Sequence, residues 1–306
     1  MRIIEKKVQS DFNLFQFGDV HTGSIMSHSE GWEMLVDMMC SPYDGLPATR
    51  NYGVDHGDMI EGITVDDPRF DGTTTQGNVL HEKDVAVEMR KQIKDRLIVA
   101  LDGNHPRKLW RWSGVAGRGL SQIICEDAGI EYGTWSCIIV YKDSKDRLMF
   151  KQYATHGKKM ISSTADDPKR RITNMELILK RHLKFKMGDC ALMTKGHTHK
   201  LLCCRPASEL YMVDDGGTLK QRYTESNHTD EYIHPDHRWY LNTGSFYKLY
   251  GDGFSGYAEI AEYDPLELGF WVVKVRDRKI HDVDKVVLKK TTAEIIEPAE
   301  VDDENI

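Results

Sequence analysis

Phe12-Asn13-Leu14-Phe15-Gln16-Phe17-Gly18-Asp19-Val20-His21 decides how this chain folds. Six residues rich in aromatic and apolar side chains have strand character. They run into a glycine, and the glycine into a carboxylate and an imidazole. Alternate residues of an extended segment share a face, so Asp19 and His21 can chelate one metal ion.

The same event recurs down the chain. Residues 51–56 lead into Gly57-Asp58-Met59-Ile60-Glu61. The apolar run Leu97-Ile98-Val99-Ala100-Leu101 ends at Asp102-Gly103-Asn104-His105. Residues 148–155 deliver His156-Gly157, and residues 190–194 precede Gly196-His197-Thr198-His199. Ends of strands are where open α/β sheets place their sites.

Between these runs the spacing of apolar residues predicts helices over 29–39, 79–95, 120–128 and 169–185. Ser29 is the expected N-cap of the first, and Gly129 closes the third. Residues 135–141 and 148–155 read as a hairpin about Lys142-Asp143-Ser144-Lys145-Asp146. The first half alternates strand and helix, and the second is mostly short strands with turns at 214–217 and 251–253. That order predicts an α/β protein, a four-layer αββα sandwich of two mixed β-sheets flanked by helices.

The chain has 306 residues, 40% hydrophobic and 29% charged, the balance of an ordinary globular protein. No apolar run reaches the length of a membrane span. No long apolar stretch follows the N-terminal Met1-Arg2-Ile3-Ile4, so the expected compartment is the cytoplasm, with no membrane partner. The six cysteines contain no CxxC pair and read as reduced thiols, mostly buried. Net charge is −7. Residues 291–306 hold six of the 48 acids and none of the 41 bases, so the body is nearly neutral. This argues against a generic polyanion binder held by bulk charge. The expected organisation is one domain over 1–290 and an acidic, disordered tail over 291–306.

Imidazole, carboxylate and one amide oxygen suit borderline divalent cations and phosphate-ester chemistry. Asp58 has two oxygens and can bridge two cations. Asn104 offers a neutral amide oxygen. His197 and His199, on a turn, can reach different metals. The glycines before Asp58, Asn104 and His197 allow tight turns and close backbone approach.

Taken in order, these five segments resemble the motifs of the calcineurin-like metallophosphoesterases. That superfamily includes protein phosphatases, cyclic-nucleotide phosphodiesterases and DNA-repair nucleases. The resemblance covers residues 19–199, and Asn242-Thr243-Gly244-Ser245 resembles a strand-end segment late in that fold. It implies a first metal on Asp19, His21 and His199, a second on Asn104, His156 and His197, and Asp58 between them. Manganese is the first expectation, with iron or zinc as alternatives. It further implies in-line attack on phosphorus by a hydroxide held between the two metals. His105 would then act on the leaving oxygen as general acid. The family places Glu or Asp after that histidine. Here Pro106 follows, so the acid that orients the ring must come from elsewhere, and Glu61 is the candidate.

Arg107 and Lys158 follow two of the motifs and are candidates for holding phosphate oxygens. Trp110 and Trp112 could stack on bases, although a helix burying its tryptophans accounts for them as well. The loop over 62–78 is expected to carry specificity. His228, His234 and His237 form another cluster, either a further metal site or a surface loop. Asp19-Val20-His21-Thr22-Gly23 resembles the Asp-x-His-x-Gly opening of the nuclease branch. That favours a phosphodiester substrate in DNA, RNA or a nucleotide. A phosphomonoesterase is the alternative, and a metal-free interaction scaffold ranks below both.

Overall fold

The computed structural model describes residues 1–75, 77–110, 118–225, 227–253 and 255–289, with the backbone of Ala293–Ile296. It is an α/β sandwich of two six-stranded mixed sheets with helices outside.

The first sheet contains β1 (Arg2–Lys7), β5 (Ser136–Lys142), β6 (Leu148–Thr155), β7 (Leu192–Lys195), β8 (Leu201–Cys204) and β11 (Trp239–Thr243). Its order is β1-β5-β6-β7-β11-β8. The second contains β2 (Phe12–Phe17), β3 (Asn51–Asp55), β4 (Leu97–Ala100), β12 (Gly269–Arg276), β13 (Lys279–Leu288) and β14 (Ala293–Ile296). Its order is β14-β13-β12-β2-β3-β4. β2, β3 and β4 run parallel, and β12 joins β2 antiparallel. A separate ribbon pairs β9 (Leu210–Asp214) with β10 (Leu219–Tyr223).

β2 shows why the layers form. All six of its residues are buried, and the two-residue period sends alternate side chains to opposite faces. Phe12 and Leu14 enter the core between the sheets, where Phe12 stacks 5.7 Å from Tyr141 and 6.3 Å from Phe150. Phe15 and Phe17 face outward into a core closed by Trp32, Leu35 and Met39 of α1 (Ser29–Cys40). α2 (Val79–Lys91) and α4 (Leu120–Ala128) share a third core with Ala100, and α5 (Pro168–Leu183) covers the outer face of the first sheet. Each fully buried large side chain contributes roughly 1.5–3 kcal/mol. α3 (Asn104–Lys108) is a single short turn directly after β4, and α6 (Tyr257–Ile260) is another.

Several boundaries differ from the sequence expectation. The N-cap of α1 is His28, whose Nδ1 accepts from the Gly31 amide at 2.9 Å, and not Ser29. α2 ends at Lys91, not residue 95. β1 pairs in parallel with β5 at the sheet edge, where charged side chains hide its strand character. β12 and β13 are 8 and 10 residues long, not short. Within the acidic stretch, Ala293–Ile296 pairs with β13, so that part is not free tail. The remaining tail residues lie outside the described ones. The six cysteines are free, and Cys40 is exposed. Among the described residues no helix is long and apolar enough to cross a membrane.

Candidate metal centre

The strands β2, β3, β4, β6 and β7 end on one side of the sandwich, and each releases a loop that carries polar groups inward. These loops turn sharply. Asp19, His21, Asp58, His197 and His199 all have positive φ, between 48° and 73°. That region is sparsely populated by residues other than glycine, and such residues cluster at functional sites. Two glycines make the approach possible. A Cβ at Gly57 would lie 2.3 Å from the Asp102 carbonyl oxygen, and one at Gly103 would lie 2.1 Å from Asp58 Oδ1.

The side chains converge in three overlapping groups: Asp19 with His21 and His199, His21 with Asp58 and His105, and Asp58 with His156 and His197. The potential ligand atoms within each group lie within 4.8 Å of one another. His199 Nε2 stands 3.5 Å from Asp19 Oδ1 and 3.3 Å from His21 Nε2. Asp58 Oδ2 is 3.9 Å from His21 Nε2 and 3.3 Å from His156 Nε2, between the two ends of the cluster. Asn104 Oδ1 lies 2.9 Å from His156 Nε2 and 2.6 Å from His197 Nδ1.

The donor set fits cations. His21 donates its Nδ1–H to the Glu61 carboxylate at 2.7 Å, and His156 donates its Nδ1–H to the His56 carbonyl at 2.8 Å. In each neutral ring this leaves the Nε2 lone pair aimed into the cluster, the arrangement usual for metal-binding histidines. Asp19 Oδ1 is buried without a hydrogen-bond partner among the described residues, and a buried carboxylate oxygen in that state is costly unless something positive meets it. Without cations, protons take up part of the charge. Burial opposes charging of His156, but the Asp58 carboxylate outweighs it and raises the ring to about 9. Burial pushes Asp58 upward, yet His156 and His105 hold its carboxyl well below the usual range. His197 is lowered to about 4 by burial and by His156.

Behind the cluster, polar ties cross between the sheets. His56 Nε2 meets Thr194 Oγ1 at 2.8 Å, and Gln152 donates to Gln16 Oε1 at 2.7 Å. Tyr141 donates to Gln152 at 2.7 Å. Below β3, Asp55 and Arg90 form an ion pair at 3.0 Å with both side chains fully buried. Asp55 also accepts from the Gly57 amide at 2.9 Å, beside Asp58. Ser245 donates to the Asp19 carbonyl at 2.9 Å, and Thr198 to Asn242 at 2.8 Å. The end of β11 and the residues just after it therefore brace the loops that carry Asp19 and His197–His199.

Glu61 meets both His21 and His105, the latter chiefly through its backbone. Its carboxylate serves His21, and it lies 3.6 Å from His105 Nδ1. His105 is oriented by the backbone carbonyl of Glu61, to which its Nδ1–H donates at 2.5 Å. Burial lowers the His105 pKa despite the nearby Asp58. Arg107 donates to Asp102 at 2.9 Å, and its guanidinium lies 5.0 Å from the Trp110 ring centre and 5.8 Å from that of Trp135. Lys158 is exposed. Neither lines the cavity of about 420 Å³ that opens on Asp58, Asn104, His105 and His199. Among the described residues, the cations that line it are Arg69, which pairs with Asp67 at 2.9 Å, and Lys200. Arg69 comes from the loop over 62–78, and Lys200 directly follows His199. Trp112 lies outside the described residues. His234 sits beside Asp236 at 3.3 Å, His237 meets Thr224 at 3.0 Å, and His228 packs against Phe150. Among the described residues no metal-capable group includes these three histidines.

Tyr247 had no signal in the sequence. Its ring centre lies 4.8 Å from that of His21 and 6.0 Å from that of His199, which limits how far either ring can turn. No family model matches the chain, and no curated protein sequence matches it. Fold and site together define the class: an α/β sandwich whose strand ends carry buried His/Asp groups able to hold metal ions.

Proposed function

We propose that this protein is a metal-dependent phosphoesterase of the calcineurin-like type, acting on a phosphodiester in nucleic acid or a nucleotide. The carrying observation is that Asp58 falls in one metal-capable group with His21 and His105 and in another with His156 and His197, while Asp19 and His199 join through His21 and Asn104 meets His156 and His197. Asp19, His21 and His199 would hold one cation, Asn104, His156 and His197 the other, and Asp58 both. Divalent cations there would supply Lewis-acid polarisation of phosphoryl oxygens and a nucleophile at neutral pH.

The protein's own groups do the rest. Glu61 fixes the ring of His21 through its carboxylate and that of His105 through its carbonyl. His105 lines the cavity, and its Nδ1–H is already committed, so Nε2 is the atom left for substrate. An arriving phosphate anion favours the imidazolium form, which can then hand a proton to the leaving oxygen. Lys200 stands on the cavity wall, where it can hold a non-bridging oxygen, and Arg69 stands there paired with Asp67 at 2.9 Å.

The test is manganese-stimulated hydrolysis of a simple diester, a monoester, a cyclic nucleotide, and single- and double-stranded DNA. Diester cleavage that Asp58→Asn abolishes is the expected result. Preference for the monoester would overturn the diesterase assignment. Failure to bind manganese, iron or zinc would leave only the interaction-scaffold reading.

A further inference from the structure

A second cavity, of about 690 Å³, adjoins the one at the metal centre. Ser162, Lys200, Asp264 and Leu266 line both, so the two meet along a common wall. A volume of this size is ample for a small-molecule group. Its sides are largely apolar, with Ile172 and Met175 from α5 facing the cavity together with Trp271 from β12.

Its charges are mostly spoken for. Lys285 pairs with Glu267, and Arg205 pairs with Asp282 at 2.7 Å. Arg171 donates to the carbonyls of Ala165 and Asp166 at 2.8 and 3.2 Å. Lys200 is different. Its ammonium contacts the Met175 sulfur at 3.6 Å and pairs with no carboxylate among the described residues. Glu176, on the same wall, also has no hydrogen-bond or ion-pair partner among them. A groove built for a polyanion keeps several cations available for successive phosphates. Here Lys200 stands at the junction of the two cavities, Arg171 is held by backbone carbonyls, and the carboxylates of Asp264 and Glu176 face the same groove, an arrangement unlike a polyanion track.

We propose that the second cavity holds an uncharged, ring-bearing ester group of the substrate, while Lys200 at the junction binds an oxygen of the phosphate that reacts. A nucleoside and a simple aryl group are the two sources of that chemistry. The apolar walls take the ring faces, and Glu176 accepts from an N–H edge where the ring has one. This rests on the phosphoesterase reading and deepens it, because it defines what lies beyond the scissile phosphate.

Binding of non-hydrolysable phosphonates to the manganese-loaded protein tests the assignment by calorimetry. The probes are methylphosphonate, phenylphosphonate and a nucleoside 5′-methylenephosphonate. The nucleoside probe is expected to bind about tenfold or more tighter than methylphosphonate, equivalent to about 1.4 kcal/mol. Ile172→Trp and Met175→Trp fill the cavity and should each remove most of that margin. Ile172 is half-exposed, so its variant keeps the test open if Met175→Trp does not fold. Lys200→Gln should weaken all three probes alike. A phenyl margin equal to the nucleoside margin supports the cavity and assigns it to aryl groups. Manganese-dependent methylphosphonate binding with no margin for either ring, or a margin that survives both tryptophan variants, overturns the cavity assignment alone. Absence of manganese-dependent binding by any probe overturns the phosphoesterase reading, and this inference with it.

Discussion

His21 is gripped from behind by Glu61, whose carboxylate accepts the ring Nδ1–H at 2.7 Å. That bond selects the tautomer whose Nε2 lone pair faces His199 and Asp58. Removing such a partner typically lowers metal affinity 10–100-fold. Glu61→Ala should therefore weaken manganese binding by about that factor at one site while the other, built on His156 and His197, holds. Manganese titration followed by calorimetry reads the two sites separately. Unchanged affinity at both would remove Glu61 from this role.

His105 donates its only Nδ1 proton to the Glu61 carbonyl and lies among the cavity-lining groups. His105→Ala should keep both cations and lose roughly 10²–10⁴ in turnover, the usual range for a lost acid or base. The loss should be steepest for esters with poor leaving groups. Rates across a series of aryl diesters, with metal content checked for each preparation, settle the point. Full activity on the poorest leaving group would exclude proton donation by this ring.

Arg90 and Asp55 are paired at 3.0 Å with no exposure, and Arg90 also lies 4.9 Å from the Trp32 ring centre. Arg90→Met strands a buried carboxylate, at a cost of about 3–5 kcal/mol. Urea unfolding should show that loss. Adding Asp55→Asn to Arg90→Met should recover part of it, because the stranded charge is gone. A single variant as stable as the parent would mean that the pair is energetically idle.

Glu82 is buried beneath the loop after Glu61. One carboxylate oxygen accepts from the Gly62 amide at 2.7 Å, and the other has no partner among the described residues. Burial raises this carboxyl from its ordinary 4.5 to about 7. The folded state thus holds a proton that the unfolded chain has released, so stability falls as pH rises from about 4.5 to 7 and then levels off. Glu82→Gln keeps the acceptor for Gly62 and removes the titration. It should match the parent near pH 5 and exceed it by roughly 2–3 kcal/mol at pH 8. Melting temperatures of both proteins at the two pH values provide the check. A gain that is the same at both would point to packing instead.

The residues able to hold metal stand out in the sequence because each comes just after a run whose side-chain chemistry is simple. β2 and β6 are continuous apolar or alternating runs, and a polar residue immediately beyond them is conspicuous. Glu61 was visible as a candidate, but its target was not. Whether a carboxylate reaches His21 or His105 depends on the positive φ at Asp58 and the turn that follows, which spacing does not encode. Arg107 and Lys158 are near the motifs in sequence only. The chain instead turns Arg107 onto Asp102 and leaves Lys158 in solvent. Arg69 and Lys200 reach the cavity from a long loop and from the far side of a ligand. Tyr247 and the Asp55–Arg90 pair belong to tertiary packing, where residues far apart in sequence meet.

The hydrogen bonds between His56 and Thr194 and from Gln152 to Gln16 join two sheets whose shared core is mainly apolar. Asp19, His21, Asp58 and Asn104 hang from one sheet, and His156, His197 and His199 from the other. Apolar contact resists separation well but sliding poorly, since it has no preferred direction. A slip of one sheet over the other by a fraction of a side chain would alter every distance between the two halves of the cluster. The buried polar ties therefore set the alignment of the halves. Drift in their surrounding apolar residues is tolerable as long as volume is kept, whereas loss of Gln152 or Thr194 would blur the spacing at the cluster without removing a single ligand.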